Sequence, residues 1–256
     1  MIDSQLHLLD PLRFPYDPSA GGYVPRDDET GDLAALLQAM DEEAVARGVL
    51  VQPSSYGLDN AAILDALERQ AARFRAVVMA GDRLSELAAR PGVVGARLNL
   101  ANFAAHGLAG ASDAGGAILA AGLILQVLAR PSELSVLVPA LPAGPLVVDH
   151  LGFVDPAEPA DLAAVAALAA RPDTWLKLSG GFRLGGGAGW PHPDPGLRRL
   201  VAAFPENRLL WGSDWPFINL PGPMPTYRET LDWGRALVDL DRAAQNAAEL
   251  FGFDDA

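Results

Sequence analysis

The stretch IDSQLHLLD, residues 2–10, sets a short strand at the start of the chain and carries two polar side chains, Gln5 and His7, near the end of that strand. Short runs with strand character alternate with helical patterns along the rest of the sequence. Eight strands are predicted in this way, at 1–8, 49–54, 74–81, 93–100, 123–129, 146–152, 174–180 and 208–215. Regular alternation of eight strands with helices predicts an α/β fold, a single (β/α)8 TIM barrel over residues 1–256.

Amphipathic helices are predicted between these strands. The first covers the apolar positions within 33–40, and Gly48 is expected to end it. Asn60 is the predicted N-cap of the next helix. Later helices are predicted at 160–170, 226–238 and 241–251. An open doubly wound sheet is the alternative fold, but no G-x-G-x-x-G follows the first strand, as a dinucleotide site there would need.

Composition excludes several classes of function. The absence of cysteine excludes a disulfide scaffold, thiolate metal sites and a cysteine nucleophile. A formal net charge of −13 disfavours nucleic acid and anionic membrane as partners, since both are bound through clustered Lys and Arg. The N-terminus lacks the features of a signal peptide, and no apolar stretch approaches the roughly 20 residues of a membrane helix. A soluble cytoplasmic protein is therefore expected, and the sequence leaves its oligomeric state open.

Polar side chains near the ends of the predicted strands mark the candidate site, because barrels of this kind place their active sites at the C-terminal ends of their strands. These residues are Gln5, His7, Gln52, Arg97, Asn99, Gln126, Asp149, His150, Lys177, Ser179 and Asp214. Several of them interrupt runs that are otherwise apolar. Burying them without partners would be costly, so they are expected to meet one another or a ligand.

The same segments carry a family resemblance over nearly the whole chain. The segments are IDSQLHLLDP, VLVQPSSYGLDN, VVGARLNL, LVVDHLGF, WLKLSGGFRL, RLLWGSDWPF and NAAELFGF, in this order. Together they resemble the amidohydrolase-related family that includes 2-pyrone-4,6-dicarboxylate lactonase and sugar-acid lactonases. WGSDWP is the most specific piece, and VQPSSYGLDN points to the lactonase branch. The resemblance implies a hydrolase that opens a lactone.

Gln5 departs from the family pattern, in which a binuclear zinc site takes two histidines from the first strand, one each from the fifth and sixth, and an aspartate from the eighth. Gln126 replaces a second histidine on the fifth strand. An amide oxygen is a poor zinc ligand beside a neutral imidazole. The lactonase branch works without a divalent metal, so no metal and no other cofactor is expected. The alternative is a single zinc ion on His7, His150 and Asp214.

The resemblance and the chemistry of lactone hydrolysis suggest a role for each candidate. Asp214 is the predicted general base, and the neighbouring Trp215 is expected to raise its pKa by desolvation. The alternative for Asp214 is a turn cap. His7, His150 and Gln5 are predicted to donate hydrogen bonds to the carbonyl oxygen. Either histidine has the alternative of a packed core residue, and His7 that of orienting Asp214.

Positive groups near the strand ends are candidates for binding a substrate carboxylate. Arg97 and Arg183 are predicted to do so, since a guanidinium offers two parallel hydrogen bonds. Lys177 is a third candidate. For all three the alternative is pairing with Asp149 or another internal acid, and for Lys177 this alternative has almost equal weight. Further residues predicted to line the pocket are Tyr56, Gln52, Gln126 and Ser179. His106, His192 and the glycine-rich segment 185–195 fall in loops expected near the mouth of the barrel.

The primary hypothesis is a metal-independent hydrolase that opens the lactone of a sugar acid or of a carboxylated ring compound. Its partner is then a small anionic substrate, with neither nucleic acid nor membrane. Two alternatives stay open at this stage. One is a metal-dependent hydrolase or decarboxylase of the same superfamily with a single zinc ion. The other is a barrel that has lost catalysis and only binds an anionic ligand, an alternative motivated by Gln5.

Overall fold

The computed structural model describes residues 1–20, 23–100, 107–187, 195–220 and 224–253. Within these ranges, eight parallel strands form one sheet in which each strand pairs with its neighbours in sequence. The strands are β1 (Ile2–Leu6), β2 (Arg47–Val51), β3 (Phe74–Val78), β4 (Val93–Asn99), β5 (Ile124–Leu128), β6 (Leu146–Val148), β7 (Thr174–Leu178) and β8 (Leu209–Trp211). The predicted (β/α)8 barrel is confirmed.

Helices connect the strands and cover the outside of the barrel. They are α1 (Leu33–Glu42), α2 (Ala61–Arg69), α3 (Leu84–Ala88), α4 (Gly107–Ala120), α5 (Pro131–Ala140), α6 (Pro159–Ala167), α7 (Pro195–Ala202), α8 (Tyr227–Arg235) and α9 (Leu240–Phe251). Side chains fix several of their N-termini: Asp32 accepts from the Ala35 N–H, and Thr226 and Glu229 form a reciprocal capping box at α8.

Two layers of apolar side chains make up most of the core, beside a small cluster of Leu9, Tyr56 and Ala62. The larger layer lies between strands and helices, and Leu36, Leu125 and Leu176 belong to it. The smaller layer brings together Val49 and Leu210 with Phe251 of α9. Strands that are buried on both faces are typical of a parallel barrel. Polar residues of the candidate site lie beyond the smaller layer, toward the C-terminal ends of the strands.

The barrel closes between β1 and the chain just after β8. Leu6 bridges to Trp215, the His7 N–H donates to the Trp215 carbonyl at 2.9 Å, and the Asp214 N–H donates to the Gln5 carbonyl at 2.9 Å. Gly212 lies at this junction, where a Cβ would stand 2.4 Å from the Gln5 Cβ and 2.7 Å from its backbone nitrogen. The closure therefore holds the backbone that carries Gln5 and His7 directly against the backbone that carries Asp214.

All eight strands are shorter than predicted, and β6 and β8 stop furthest before their predicted ends because the chain leaves the sheet at residues of the candidate site. The predicted strand 146–152 ends at Val148, and a tight turn over Asp149–Phe153 follows, in which the three residues from His150 to Gly152 have positive φ. The predicted strand 208–215 ends at Trp211. His150 and Asp214 adopt left-handed backbone conformations, with φ of 50° and 68°. Such conformations disfavour residues with a Cβ, so the fold holds both residues in strained positions.

Two details of the helix ends differ from the predictions. Gly48 does not end α1, which stops at Glu42. Gly48 lies inside β2, where the Leu6 side chain occupies the space of a Cβ. Asn60 occupies the predicted N-cap position of α2, but its side chain makes no capping hydrogen bond. Its amide instead bonds to the backbone of Met79 at the end of β3, through both the N–H and the carbonyl of that residue. The amide therefore ties a loop to the barrel.

Among the helices of the described residues, none combines the length and apolar character needed to cross a lipid bilayer. The cytoplasmic location stays a prediction.

Gly212→Ala is expected to destabilise the protein by about 2–3 kcal/mol, because its methyl group overlaps backbone atoms that cannot move without opening the junction. The measurement is the free energy of unfolding in urea. Gly116→Ala in α4 is the matched control, since the nearest atom to its added Cβ is 3.8 Å away. There the change should stabilise the helix by up to about 1 kcal/mol. Equal effects of the two substitutions would contradict the close packing at Gly212.

Candidate active site

Asp214 forms the centre of the site. Its side chain is 1% exposed, and Oδ1 lies 3.2 Å from His7 Nε2 and 3.7 Å from His150 Nε2. The other oxygen, Oδ2, accepts a hydrogen bond of 2.7 Å from Arg183 Nε. The structure thus brings an acid, two imidazoles and a guanidinium together from the ends of four strands.

The pKa of Asp214 moves opposite to the sequence-based expectation. Burial alone raises it, as predicted from the neighbouring Trp215, but Arg183, His150 and His7 outweigh burial and hold the pKa well below its usual range. The expected upward shift is therefore wrong. The carboxylate is ionised at neutral pH, and Arg183 is the largest of the stabilising influences.

Gln5 has a fixed amide orientation. Its Oε1 accepts from Lys177 Nζ at 2.7 Å and from Gln126 Nε2 at 3.2 Å. An ammonium group has only donors, so the oxygen of the amide must face Lys177. The NH2 group is therefore turned the other way, 3.4 Å from His7 Nε2. Gln5 presents hydrogen-bond donors to the centre of the site.

The hydrogen bonds of His7 determine its tautomer. Nδ1 lies 2.7 Å from the Val51 carbonyl, which can only accept, so Nδ1 carries a proton. Neutral His7 then has a bare Nε2, which can accept from the NH2 of Gln5. It can donate to Asp214 only when the ring is doubly protonated. The orienting role that the sequence left open for His7 therefore requires the doubly protonated ring, whose Nε2–H can donate to Asp214.

His150 is buried, and its Nδ1 lies 2.8 Å from the Ser179 hydroxyl. Burial lowers the pKa of His150 to about 4, although Asp214 acts in the opposite direction, so the ring is neutral at neutral pH. When the Ser179 hydroxyl donates to Nδ1, the proton of the ring is on Nε2, which faces Asp214. This is the tautomer that can donate to a substrate oxygen.

Beside this centre, a second carboxylate, Asp149, forms ion pairs with two other cations. Asp149 Oδ1 lies 3.2 Å from Lys177 Nζ, and Oδ2 lies 3.2 Å from Arg97 Nε and accepts from Gln126 at 2.9 Å. Burial raises the pKa of Asp149, but the charges of Lys177 and Arg97 outweigh burial and lower the pKa below its usual value. The acid therefore stays ionised. The internal pairing considered for Lys177 is observed, and Arg97 shares it. The guanidinium of Arg97 has five N–H donors, which leaves room for an additional ligand.

Two other predicted pocket residues stabilise the neighbouring loops. The Gln52 side chain donates to the carbonyls of Asp59, at 2.7 Å, and Gly57, at 3.3 Å. The Tyr56 hydroxyl accepts from the Asp10 N–H at 2.8 Å. Neither side chain is joined to Asp214 by the contacts above, and their part in substrate binding stays a prediction. His106 and His192 lie outside the described residues.

Sequence reasoning missed two buried acids near the site. Asp3, in β1, is fully buried. Glu29, in the loop after β1, accepts from the N–H groups of Arg26, at 2.9 Å, and Asn219, at 2.8 Å, and from the Tyr23 hydroxyl. Tyr23 and Arg26 lie beside Glu29 in the same loop, but single acids in that loop offered no motif. Glu29 joins the loop after β1 to the loop after β8.

The centre fits a metal ion poorly. Within the described ranges, His, Asp and Glu side chains form no group of three or more arranged to hold one. Where the family pattern has imidazoles, Gln5 offers an oxygen already bound by the Lys177 ammonium, and the Asp214 carboxylate already binds Arg183. Two fixed cations beside the candidate ligands would repel a divalent ion.

Comparison with known proteins identifies the family. A family model described as amidohydrolase matches residues 2–253. The 4-sulfomuconolactone hydrolase of Rhizobium radiobacter is 31% identical over 233 residues, which cover 84% of this chain and 75% of that protein. The 2-pyrone-4,6-dicarboxylate hydrolase of Comamonas testosteroni is 29% identical over 248 residues, 88% of this chain and 79% of that protein.

A solved structure is similar over almost its whole length. It is a probable 2-pyrone-4,6-dicarboxylic acid hydrolase of Acinetobacter baumannii with citric acid bound, 27% identical. The superposition has a TM-score of 0.79 and covers 98% of this chain and 99% of that chain. The predicted family resemblance is confirmed by these comparisons.

His150 is expected to stay neutral as the pH is lowered from about 8 to about 5, because burial opposes its protonation. Unfolded protein takes up that proton near pH 6.5, so stability falls as the pH drops from about 6.5 to about 4. The free energy of unfolding should fall by about 3 kcal/mol over this range, because each unit of pKa difference corresponds to about 1.4 kcal/mol. Nitrogen-detected NMR of the ring follows the titration, and His150→Gln should lack this part of the pH dependence. A midpoint near 6.5 in the folded protein would contradict it.

Proposed function

Because the chain belongs to the amidohydrolase family and is a hydrolytic enzyme, we propose that its reaction is the hydrolysis of a lactone ring. The observation that carries the proposal is the contact of the ionised Asp214 carboxylate with His7, His150 and Arg183. Both sequence relatives described above are named as hydrolases of lactone-type rings.

The substrate proposed is a small anionic lactone, of a sugar acid or of a carboxylated ring compound. Arg97, Lys177 and Arg183 place three positive charges at the centre of a protein whose net charge is −13. The two carboxylates paired with them, Asp149 and Asp214, balance two of these charges, so one positive charge is left to attract an incoming anion. The names of the relatives point the same way, since a sulfonate or carboxylates accompany the ring. The structural relative was obtained with citric acid, a tricarboxylic acid.

Ring opening in this site begins with a water molecule that lies between Asp214 and the lactone carbonyl carbon. As the water oxygen bonds to that carbon, Asp214 takes its proton. Nε2–H of His150 and the NH2 group of Gln5 donate to the carbonyl oxygen, on which negative charge develops. When the carbonyl forms again, the bond from carbon to the ring oxygen breaks. The proton held by Asp214 passes to that leaving oxygen, which yields a hydroxy acid.

Arg183 sets the basicity of Asp214 in this scheme. A carboxylate whose pKa is held low by a guanidinium is a weak base. Arg183 is 16% exposed at its side chain, whereas Asp214 is 1% exposed, so the guanidinium is the partner that a substrate can reach. A substrate carboxylate that binds Arg183 neutralises part of its charge and raises the pKa of Asp214. Binding of an anionic substrate thereby strengthens the base that activates the attacking water.

We propose that the reaction needs no divalent metal. Support comes from the amides at positions 5 and 126 and from the cations that already contact Gln5 and Asp214. In metal-dependent hydrolases a metal ion polarises the carbonyl group of the substrate. Here the hydrogen-bond donors of His150 and Gln5 perform that task.

Asp214→Asn is expected to reduce kcat by about 1,000-fold or more while the protein stays folded, because an amide cannot accept the proton of water. A panel of sugar-acid and carboxylated ring lactones is followed by the release of acid in weakly buffered solution. Asp241→Asn, at the exposed start of α9, is the control and should retain full activity. Undiminished hydrolysis by Asp214→Asn would remove the proposed base.

Treatment with a chelator, followed by dialysis, is expected to leave kcat unchanged for the lactone that the panel identifies. Elemental analysis of the same samples checks that divalent metals have been removed. Loss of activity that zinc restores would favour a metal-dependent hydrolase with a single ion on His7, His150 and Asp214.

Arg183→Gln is expected to move the acid limb of the kcat/KM profile to higher pH, because loss of the guanidinium raises the pKa of Asp214 and the base must be ionised. The KM for a carboxylated lactone should rise as well. Rates are measured over a pH series beside Arg90→Gln, which removes an exposed arginine paired with Glu68. An acid limb that moves to lower pH would contradict the role given to Arg183.

A further inference from the structure

Asp3 is a buried carboxylate that the chemistry above does not use. Its Oδ1 accepts from the backbone N–H groups of Gln5, at 2.9 Å, and Ser213, at 3.0 Å. Its Oδ2 accepts from the Tyr227 hydroxyl at 2.5 Å. One side chain therefore connects β1, the chain after β8 and helix α8, and both N–H groups adjoin the catalytic centre.

The strand that carries Asp3 contains a β-bulge. Asp3 pairs with Gly48, and Leu6 pairs with Leu50. The chain therefore advances by three residues along β1 but by only two along β2, so β1 contains one extra residue. In a regular strand, residues an even number of positions apart point to the same side. Ile2 nevertheless packs with the smaller core layer and Leu6 with the larger one. The bulge changes the side to which the following residues point.

This change of side puts the polar residues of β1 into the site. With Leu6 turned toward the helices, its neighbours Gln5 and His7 point to the centre of the barrel, where they contact Lys177 and Asp214. Bulges commonly re-aim side chains in this way beside active sites. Without the bulge, the alternation that begins at Ile2 would direct Gln5 and His7 toward the helices.

A bulge leaves backbone groups without a partner in the sheet, and buried backbone donors need one. The Asp3 carboxylate supplies it for the Gln5 N–H on one side of the junction and for the Ser213 N–H on the other. The next residue, Asp214, then donates its own N–H to the Gln5 carbonyl at 2.9 Å. The separation between Gln5 and Asp214 is thus set by this direct bond together with the two bonds to the Asp3 carboxylate.

We propose that Asp3 is a positioning residue of this active site, whose carboxylate holds the β1 bulge and the β1–β8 junction so that Gln5, His7 and Asp214 meet at one point. The inference rests on the proposed lactone hydrolysis for its kinetic consequences, but not for its structural ones.

The surroundings of Asp3 support this role. Burial raises the pKa of Asp3 to about 6, against the effect of its bonds to Ser213, Tyr227 and Gln5. Burial lowers the pKa of Lys177, and the charge of Asp3 is one of the influences that oppose this shift. Ionised at neutral pH, the acid is kept in a place that penalises its charge. A buried charge that costs stability beside an active site is typical of a functional constraint.

The test compares Asp3→Ala, Asp3→Asn and Ser4→Ala. Ser4 is the matched control, because its hydroxyl also joins β1 to the β8 region, through the Trp211 carbonyl at 2.6 Å, but touches neither Gln5 nor Ser213. Asp3→Ala should lower kcat by about 100-fold, the effect of a displacement of about 1 Å, and change KM by less than about threefold. Asp3→Asn retains an oxygen acceptor for both N–H groups, so its kcat should stay within about threefold of wild type.

Several results would overturn the proposal. They are a kcat of Asp3→Ala close to that of wild type, an equal loss in Ser4→Ala, and an Asp3→Asn variant as impaired as Asp3→Ala. If Asp3→Ala does not fold, Asp3→Ser replaces it, since its hydroxyl is too short to reach both N–H groups. The same kinetic outcomes then decide.

A second readout separates this inference from the proposed function. Amide hydrogen exchange at Gln5 and Ser213 should be faster in Asp3→Ala than in Ser4→Ala, relative to wild type, and requires no substrate. If wild-type protein opens none of the lactones, the proposed function fails, while the exchange rates still decide the role of Asp3. Unchanged exchange at both amides would overturn the inference even if the enzyme proves to be a lactonase.

Discussion

The pairing of buried charges at the centre of the barrel is the interaction on which the rest of the site depends. Asp149 and Asp214 are almost completely excluded from water, and each would cost several kcal/mol without a partner. Lys177 and Arg97 neutralise the first acid, and Arg183 the second. The two groups differ in access, because only the cation of the second is partly exposed. The deep group keeps the site rigid, and the outer group can respond to a substrate.

The periodicity of the sequence predicted the barrel, because each strand is an apolar run that is buried on both faces. The rule that active sites lie at strand ends then predicted the neighbourhood of Asp214, His7 and His150. It could not predict the left-handed backbone at His150 and Asp214, which ends β6 and β8 early. Asp and His adopt positive φ more often than most residues, but this preference is too weak to locate the conformation in a sequence without the packing of the surrounding loops.

The electrostatics of the site were less accessible to sequence reasoning. The neighbour of Asp214 in sequence, Trp215, predicted a raised pKa, whereas the decisive group is Arg183, 31 positions away. The tautomer of His7 depends on a backbone carbonyl, which no motif encodes. Asp3 lay in the quoted first strand, yet its role depends on a bulge in that strand and on a tyrosine 224 positions away.

The role of the Gln5 amide depends on its two neighbours, Lys177 and His7. The ammonium of Lys177 requires an acceptor, and the oxygen of Gln5 supplies it while its NH2 group faces His7. A histidine in place of Gln5 would have to give Lys177 a ring nitrogen, which then could no longer bind a metal ion. A divalent ion at the centre would also lie among Lys177 and Arg183, both positively charged. Restoring one histidine would therefore not restore a zinc site. The chain instead combines fixed cations with oriented amide donors, an arrangement that suits polarisation of a carbonyl through hydrogen bonds.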